Sequence, residues 1–148
     1  MDKDELISKL PYSHPFLFAD TIDEISDTHI EGSYTFPENS FFYEGHFREH
    51  PITPGVILTE CMAQIGLVCL GIYLLDGKGF DLNKNAKVAM VENHVIYKKA
   101  VYPGEKVYVK SDLEYFRMHK LKSKVKMTNA GGEIVASGIL SGILIPNK

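Results

Sequence analysis

The longest apolar stretch of the chain runs from Gly55 to Leu75 and reads "GVILTECMAQIGLVCLGIYLL". Its length and composition predict one long helix, apolar nearly all round, and such a helix has to be enclosed on most sides. Pro54 suits the first helical position because it has no amide hydrogen to leave unpaired; Thr53 before it is the candidate N-cap and Gly55 follows. Thr59, Glu60 and Gln64 interrupt the first half. What remains from Ile65 onward is too short to cross a bilayer, so the stretch reads as a buried helix and no membrane span is expected. Gly66 and Gly71 lower helix propensity, which points to close approach of a neighbouring backbone.

Elsewhere the pattern has period two. In "KLKSKVKM", Lys120 to Met127, Leu121, Val125 and Met127 fall on one face and four lysines on the other, the mark of a half-buried strand. Before it "EKVYVKSDLEYF" alternates through Val107, Val109, Leu113 and Tyr115; after it, beyond the turn "NAGG", comes "EIVASGILSGILI". These three predict an antiparallel meander. "KVAMVENHVIYKKAV" is a further strand, set off by the turn "YPGE", and "DTIDEI" with "HIEGSYTF" reads as a short strand pair. One long apolar helix with one antiparallel sheet is an α+β arrangement, the sheet curling around the helix.

Composition narrows the picture modestly. With 148 residues, 45% of them hydrophobic, residues 1–148 are expected to form one domain with a real core. A formal net charge of -3 argues against nucleic acid as the main partner. Cys61 and Cys69 on one helix lie roughly 12 Å apart along its axis, too far for a disulfide, whose Cα atoms sit within about 7 Å. Both read as buried thiols. The N-terminus "MDKDELISKL" is acidic and has no apolar signal core, so a cytoplasmic location is expected.

Candidate chemistry gathers at the start of the helix, in "GHFREHPITPGVILTE". The first amides of a helix have no intrahelical partner and lie at the positive end of its dipole, where they suit an oxyanion or a polarised carbonyl; Gly55 lets a ligand come close. His46 offers a base near neutral pH, and a buried Glu60 carboxyl with a raised pKa offers an acid. A base, an acid and an oxyanion site together suit removal of a proton α to a carbonyl with loss of a β-hydroxyl as water. Residue types alone leave other readings open: a hydrogen-bonded structural histidine, a structural carboxylate, or a metal site from His46, His50 and Glu60. The prolines after "HFREHP" count against the metal, and none is expected.

The segment "GHFREHPITPGVILTECMAQ" resembles the signature of the 3-hydroxyacyl-acyl-carrier-protein dehydratases of the FabZ type. "LPYSHPFLFAD" and "YKKAVYPGEKV" resemble the segments that flank it in that family, so the likeness covers most of the chain. It implies the hotdog fold, in which a curled antiparallel sheet wraps one long helix. By the match, His46 corresponds to the catalytic histidine, Glu60 to the catalytic carboxylate, and Gly55 to the residue whose amide binds the thioester carbonyl. The implied reaction converts a 3-hydroxyacyl thioester on acyl carrier protein to the trans-2-enoyl thioester, with no bound cofactor. It belongs to fatty acid or related polyketide or polyene biosynthesis.

The resemblance also implies a homodimer, or a trimer of dimers, with His46 of one subunit facing Glu60 of the other. An acidic carrier with its phosphopantetheine arm needs a basic docking surface, for which Lys98 and Lys99 are the first candidates. Arg48 and Glu49 stand where the family has Pro-Gly, and Thr53 and Thr59 also depart from its pattern, all around the site's mouth. Two rival functions share the fold: an acyl thioesterase in which Glu60 activates water, and a non-catalytic acyl-thioester-binding module.

Overall fold

The computed structural model describes residues 1–147. Its centre is a continuous helical segment, Gly55–Leu74, built from α2 (Gly55–Ala63), a π-helical stretch Gln64–Cys69, and α3 (Leu70–Leu74). It is long and apolar enough to cross a membrane, with a mean hydropathy of 1.8, but 78% of that stretch is buried inside the protein. The sheet is its solvent. Six antiparallel strands lie in the order β1-β2-β4-β5-β6-β3: β1 (Thr21–Ile25), β2 (His29–Thr35), β3 (Ala86–Tyr97), β4 (Lys106–Arg117), β5 (Lys120–Asn129) and β6 (Ile134–Pro146). This is the curled sheet around one helix that the α+β, hotdog expectation describes.

The predicted strand pair is β1-β2 and the predicted meander is β4-β5-β6. On β5 the alternation holds to the residue: Leu121, Val125 and Met127 are buried and Lys122, Lys124 and Lys126 point away. On β4 it breaks at a bulge between Leu113 and Tyr115. An extra residue there reverses the facing of the residues beyond it. Phe116 therefore packs against the core, while Tyr115, expected on the core face, instead lies under the Arg117 guanidinium at 4.4 Å. The predicted strand through Val101 ends at Tyr97, and β3 pairs with β6 rather than with its neighbour in sequence. An N-terminal helix α1 (Lys3–Ser8), capped by the Asp2 carboxylate on the Glu5 amide at 3.0 Å, buries Leu6 and was not evident from the pattern.

Two details of the central helix correct the sequence reading. Pro54, not Thr53, occupies the N-cap position and Gly55 is the first helical residue; the Thr53 hydroxyl is shared with the Tyr43 phenol at 2.6 Å. At Gly66 the expected close approach is made by side chains, not by a backbone: a methyl group there would lie 3.0 Å from both Ser111 Cβ and Val125 Cγ1. The Ser111 hydroxyl donates to the Gly66 carbonyl at 2.7 Å. A side chain competing for a helical carbonyl is a known cause of irregular turns, and the π-helical stretch spans this point. Gly71 has only ordinary contact, 3.5 Å to Leu121, so the expected close approach is absent there.

Candidate active site

The loop from Gly45 to Pro54 delivers His46 to the helix start. Phe47 adopts a left-handed backbone (φ 59°), and the His50 amide closes the turn on the Phe47 carbonyl at 2.9 Å. A bulky residue in that region is strained by about 1 kcal/mol or more. Two bonds hold the loop: Thr53 N–H to the Val101 carbonyl (2.8 Å) and His46 Nδ1 to the Ile52 carbonyl (2.9 Å). A carbonyl only accepts, so Nδ1 carries the hydrogen. In the neutral ring this leaves Nε2 with its lone pair free. His46 is partly buried, with the Phe47 ring edge-on at 4.7 Å between centroids.

At the helix start, the Ile57 and Leu58 amides both reach the Pro54 carbonyl (2.9 and 3.2 Å). The Gly55 amide precedes them and, among the described residues, finds no backbone acceptor. The ring of Tyr97, at the end of β3, lies against Gly55: a methyl group on it would sit 3.2 Å from the ring's Cζ. The Tyr97 phenol also shares a hydrogen bond with Thr59.

Glu60 is half-buried, and desolvation raises its pKa above the ordinary carboxylate range. Working the other way, Gln64 Nε2 donates to Glu60 Oε2 at 2.9 Å and favours the charged form. Gln64 is the residue whose role the sequence reading missed. Fully buried, it also donates to the Phe16 carbonyl (3.0 Å) and accepts from the Phe18 amide (2.8 Å), fastening the "LPYSHPFLFAD" segment over the helix. Its spacing of four from Glu60, on one helix face, is the signal that was there to read. Tyr12, in the same segment, has its phenol pushed up to about 12, first by burial and then by the Glu60 charge.

Among the described residues no hydrogen bond joins His46 to Glu60 within the chain, whose partners are Ile52 and Gln64 respectively. His50 lines an open hollow with Phe47, Arg48, Glu49 and Ile52, so the departures Arg48 and Glu49 flank the histidine loop. Among the described residues, those that come within ligating reach of one another are Glu24, His29 and Glu31, on the far strands β1 and β2, and not His46, His50 and Glu60. There both His29 ring nitrogens already meet carboxylates, Glu31 and Asp112, at 2.7 Å. Lys99 is paired with Glu133 at 2.6 Å; Lys98 makes no ion pair among the described residues. Cys61 and Cys69 are free and buried, as expected, and burial pushes both thiols up.

Comparison with known proteins identifies the family. A family profile described as a FabA-like domain matches residues 10–139. The 3-hydroxyacyl-acyl-carrier-protein dehydratase FabZ of a Hydrogenobaculum species is 33% identical over 142 residues, 95% of this chain and 92% of that protein. FabZ of Thermus thermophilus is 31% identical over 144 residues, 97% of each chain. In solved structures the fold recurs in the dehydratase heterocomplex ApeI:P from Xenorhabdus doucetiae (TM-score 0.80, 17% identity, 97% and 91% coverage). It recurs again in a hypothetical thioesterase from Streptococcus pneumoniae (TM-score 0.67, 16% identity, 98% coverage of both). Such low identities speak for the hotdog fold alone, whereas the sequence relatives and the profile say more: the chain belongs to the FabA-like family, among the FabZ-type 3-hydroxyacyl-acyl-carrier-protein dehydratases.

Proposed function

We propose that this protein removes water from a 3-hydroxyacyl thioester held on acyl carrier protein, giving the trans-2-enoyl thioester. The observation that carries the reading is the setting of His46, whose Nδ1–H is committed to the Ile52 carbonyl so that Nε2 is the free base. His46 Nε2 takes a C2 proton. The Gly55 amide holds the thioester oxygen as it gains enolate character. Glu60, protonated more readily than an exposed carboxyl because it is desolvated, gives its proton to the C3 hydroxyl, which leaves as water. The proton on His46 then returns through solvent to Glu60, and the enzyme is restored.

His46 and Glu60 engage different neighbours within one chain, which supports a homodimeric site with the histidine of one subunit facing the carboxylate of the other. β3 supplies the means: at the sheet edge, twelve residues long, it exposes Val91, Ile96 and Tyr97. A long exposed edge invites pairing with another strand, and a second copy's β3 is the occupant. Lys98 comes directly after this strand, makes no ion pair among the described residues, and is the better candidate of the two for docking an acidic carrier. The setting is a soluble, cytoplasmic biosynthetic pathway.

The test tracks intact acyl species by mass spectrometry after incubation with a 3-hydroxyacyl-acyl carrier protein. Loss of one water is expected. General acid-base groups contribute about 10²–10⁴-fold each, so His46→Ala and Glu60→Gln are each expected to lower kcat by that factor while keeping the fold. Near-normal turnover in either would sink the assignment. Release of free carrier thiol would identify a thioesterase, and bound but unchanged substrate a binding module.

A further inference from the structure

Thr59 immediately precedes Glu60 and is nearly buried, at 9% exposure. Its hydroxyl is hydrogen-bonded to the phenol of Tyr97, the last residue of β3. The same ring lies against Gly55, with Cζ at 3.2 Å and Cε1 at 3.3 Å from the place a methyl group on Gly55 would take. One aromatic side chain thus spans the first turn of the helix, from Gly55 to the residue beside the carboxylate. In the single chain Tyr97 remains 47% exposed. Thr59 is β-branched and restricted about its first side-chain torsion, which makes it a stiff anchor.

We propose that Thr59 and Tyr97 form a latch that holds the phenol ring against Gly55 and narrows the path of the acyl chain at the carbons next to the thioester. The pair determines specificity; it positions and takes no part in proton transfer. This inference rests on the dehydratase reading above, in which the Gly55 amide binds the thioester oxygen.

A thioester oxygen hydrogen-bonded to an amide lies about 2.9 Å from its nitrogen. The carbonyl carbon and its next few neighbours must then run past whatever touches Gly55, and that neighbour is the Tyr97 ring. The latched ring is a flat wall at C2 to C4 of the acyl chain, remote from the chain's tail. It admits a straight chain and collides with a methyl branch at C4. Without the bond to Thr59, the ring is no longer fixed about its side-chain torsions, and the wall gives way.

The experiment compares a straight-chain 3-hydroxyacyl-acyl carrier protein with its 4-methyl-branched isomer, using the full-length protein and measuring kcat and KM separately for each. The wild type is expected to prefer the straight chain. Excluding or admitting one methyl group is worth about 10-fold or more in discrimination. Thr59→Val, which keeps the shape and loses the hydroxyl, and Tyr97→Phe, which keeps the ring, are each expected to raise kcat/KM for the branched isomer by roughly that factor. Thr59→Ser retains the hydrogen bond and is expected to preserve the wild-type preference.

A hydrogen bond that merely stabilises the fold lowers Tm and leaves the ratio of the two substrates unchanged; that outcome overturns the latch and leaves the dehydratase reading intact. A uniform collapse of kcat on both substrates in Tyr97→Phe also overturns it, by giving the phenol a chemical role. Dehydration of neither isomer by the wild type removes the dehydratase reading and the latch together.

Discussion

Gln64 fastens three things with one side chain: the Glu60 carboxylate, the Phe16 carbonyl and the Phe18 amide. A buried group stripped of its partner costs about 1–3 kcal/mol, so Gln64→Leu is expected to lower stability by at least that much in a denaturant titration. It also removes the one interaction that holds the Glu60 pKa down. The carboxyl should then stay protonated to higher pH, shifting the alkaline limb of the rate profile upward. His29 gives a second prediction. Hydrogen bonds to Glu31 first and Asp112 next raise its pKa above the ordinary histidine value of 6.5. The stabilisation is therefore complete below the unfolded value and disappears as pH rises through the folded one. His29→Gln should lower Tm more at about pH 6 than at about pH 9, on either side of that transition, and equal losses at both would contradict a charged His29. At this scale residue types announced candidate roles, but the partners that tune them, Ile52 for His46 and Gln64 for Glu60, became visible only when the chain was folded.

At the scale of elements, period-two alternation was legible wherever a strand has one face on the helix, because burial then imposes its own period. It failed at Tyr115, where a single bulge changes the facing and leaves no mark in composition. The β4–β5 hairpin shows the converse: its turn, Met118-His119, has both residues in the left-handed region (φ 52° and 61°) without the asparagine or glycine that usually signals one. The flanking strands betrayed it, and its own residues did not. Gly66 supports a prediction about the helix. Propensity alone makes alanine better than glycine by about 1 kcal/mol, but a methyl group 3.0 Å from Ser111 and Val125 overpacks the contact, at about 1–3 kcal/mol. Overpacking wins, so Gly66→Ala is expected to lower Tm although it is a better helix former.

For the whole molecule, the decisive feature is an edge. Among the described residues β3 closes the sheet on one side with exposed apolar residues and an unpaired row of backbone groups, and in the dimer proposed above a second chain covers it and completes the site. Lysines on an edge strand oppose pairing. Val91→Lys combined with Asn93→Lys is expected to give a folded monomer by sedimentation and circular dichroism, with dehydratase activity lost. A monomer of undiminished activity would refute the shared site.

By itself the sequence determined the α+β class, the long central helix, five of the six strands nearly to their ends, and the residues on which the chemistry is proposed to rest. These arise from local periods of burial and from a short motif whose parts lie close along the chain. Tertiary structure alone decided that β3 pairs with β6 at the sheet edge, that Thr53 binds Tyr43 instead of capping the helix, and that Tyr97 reaches back to Thr59 and Gly55. Each of these joins residues about ten to sixty positions apart. Such contacts are fixed by how the sheet curls around its helix, and no local pattern records that curvature.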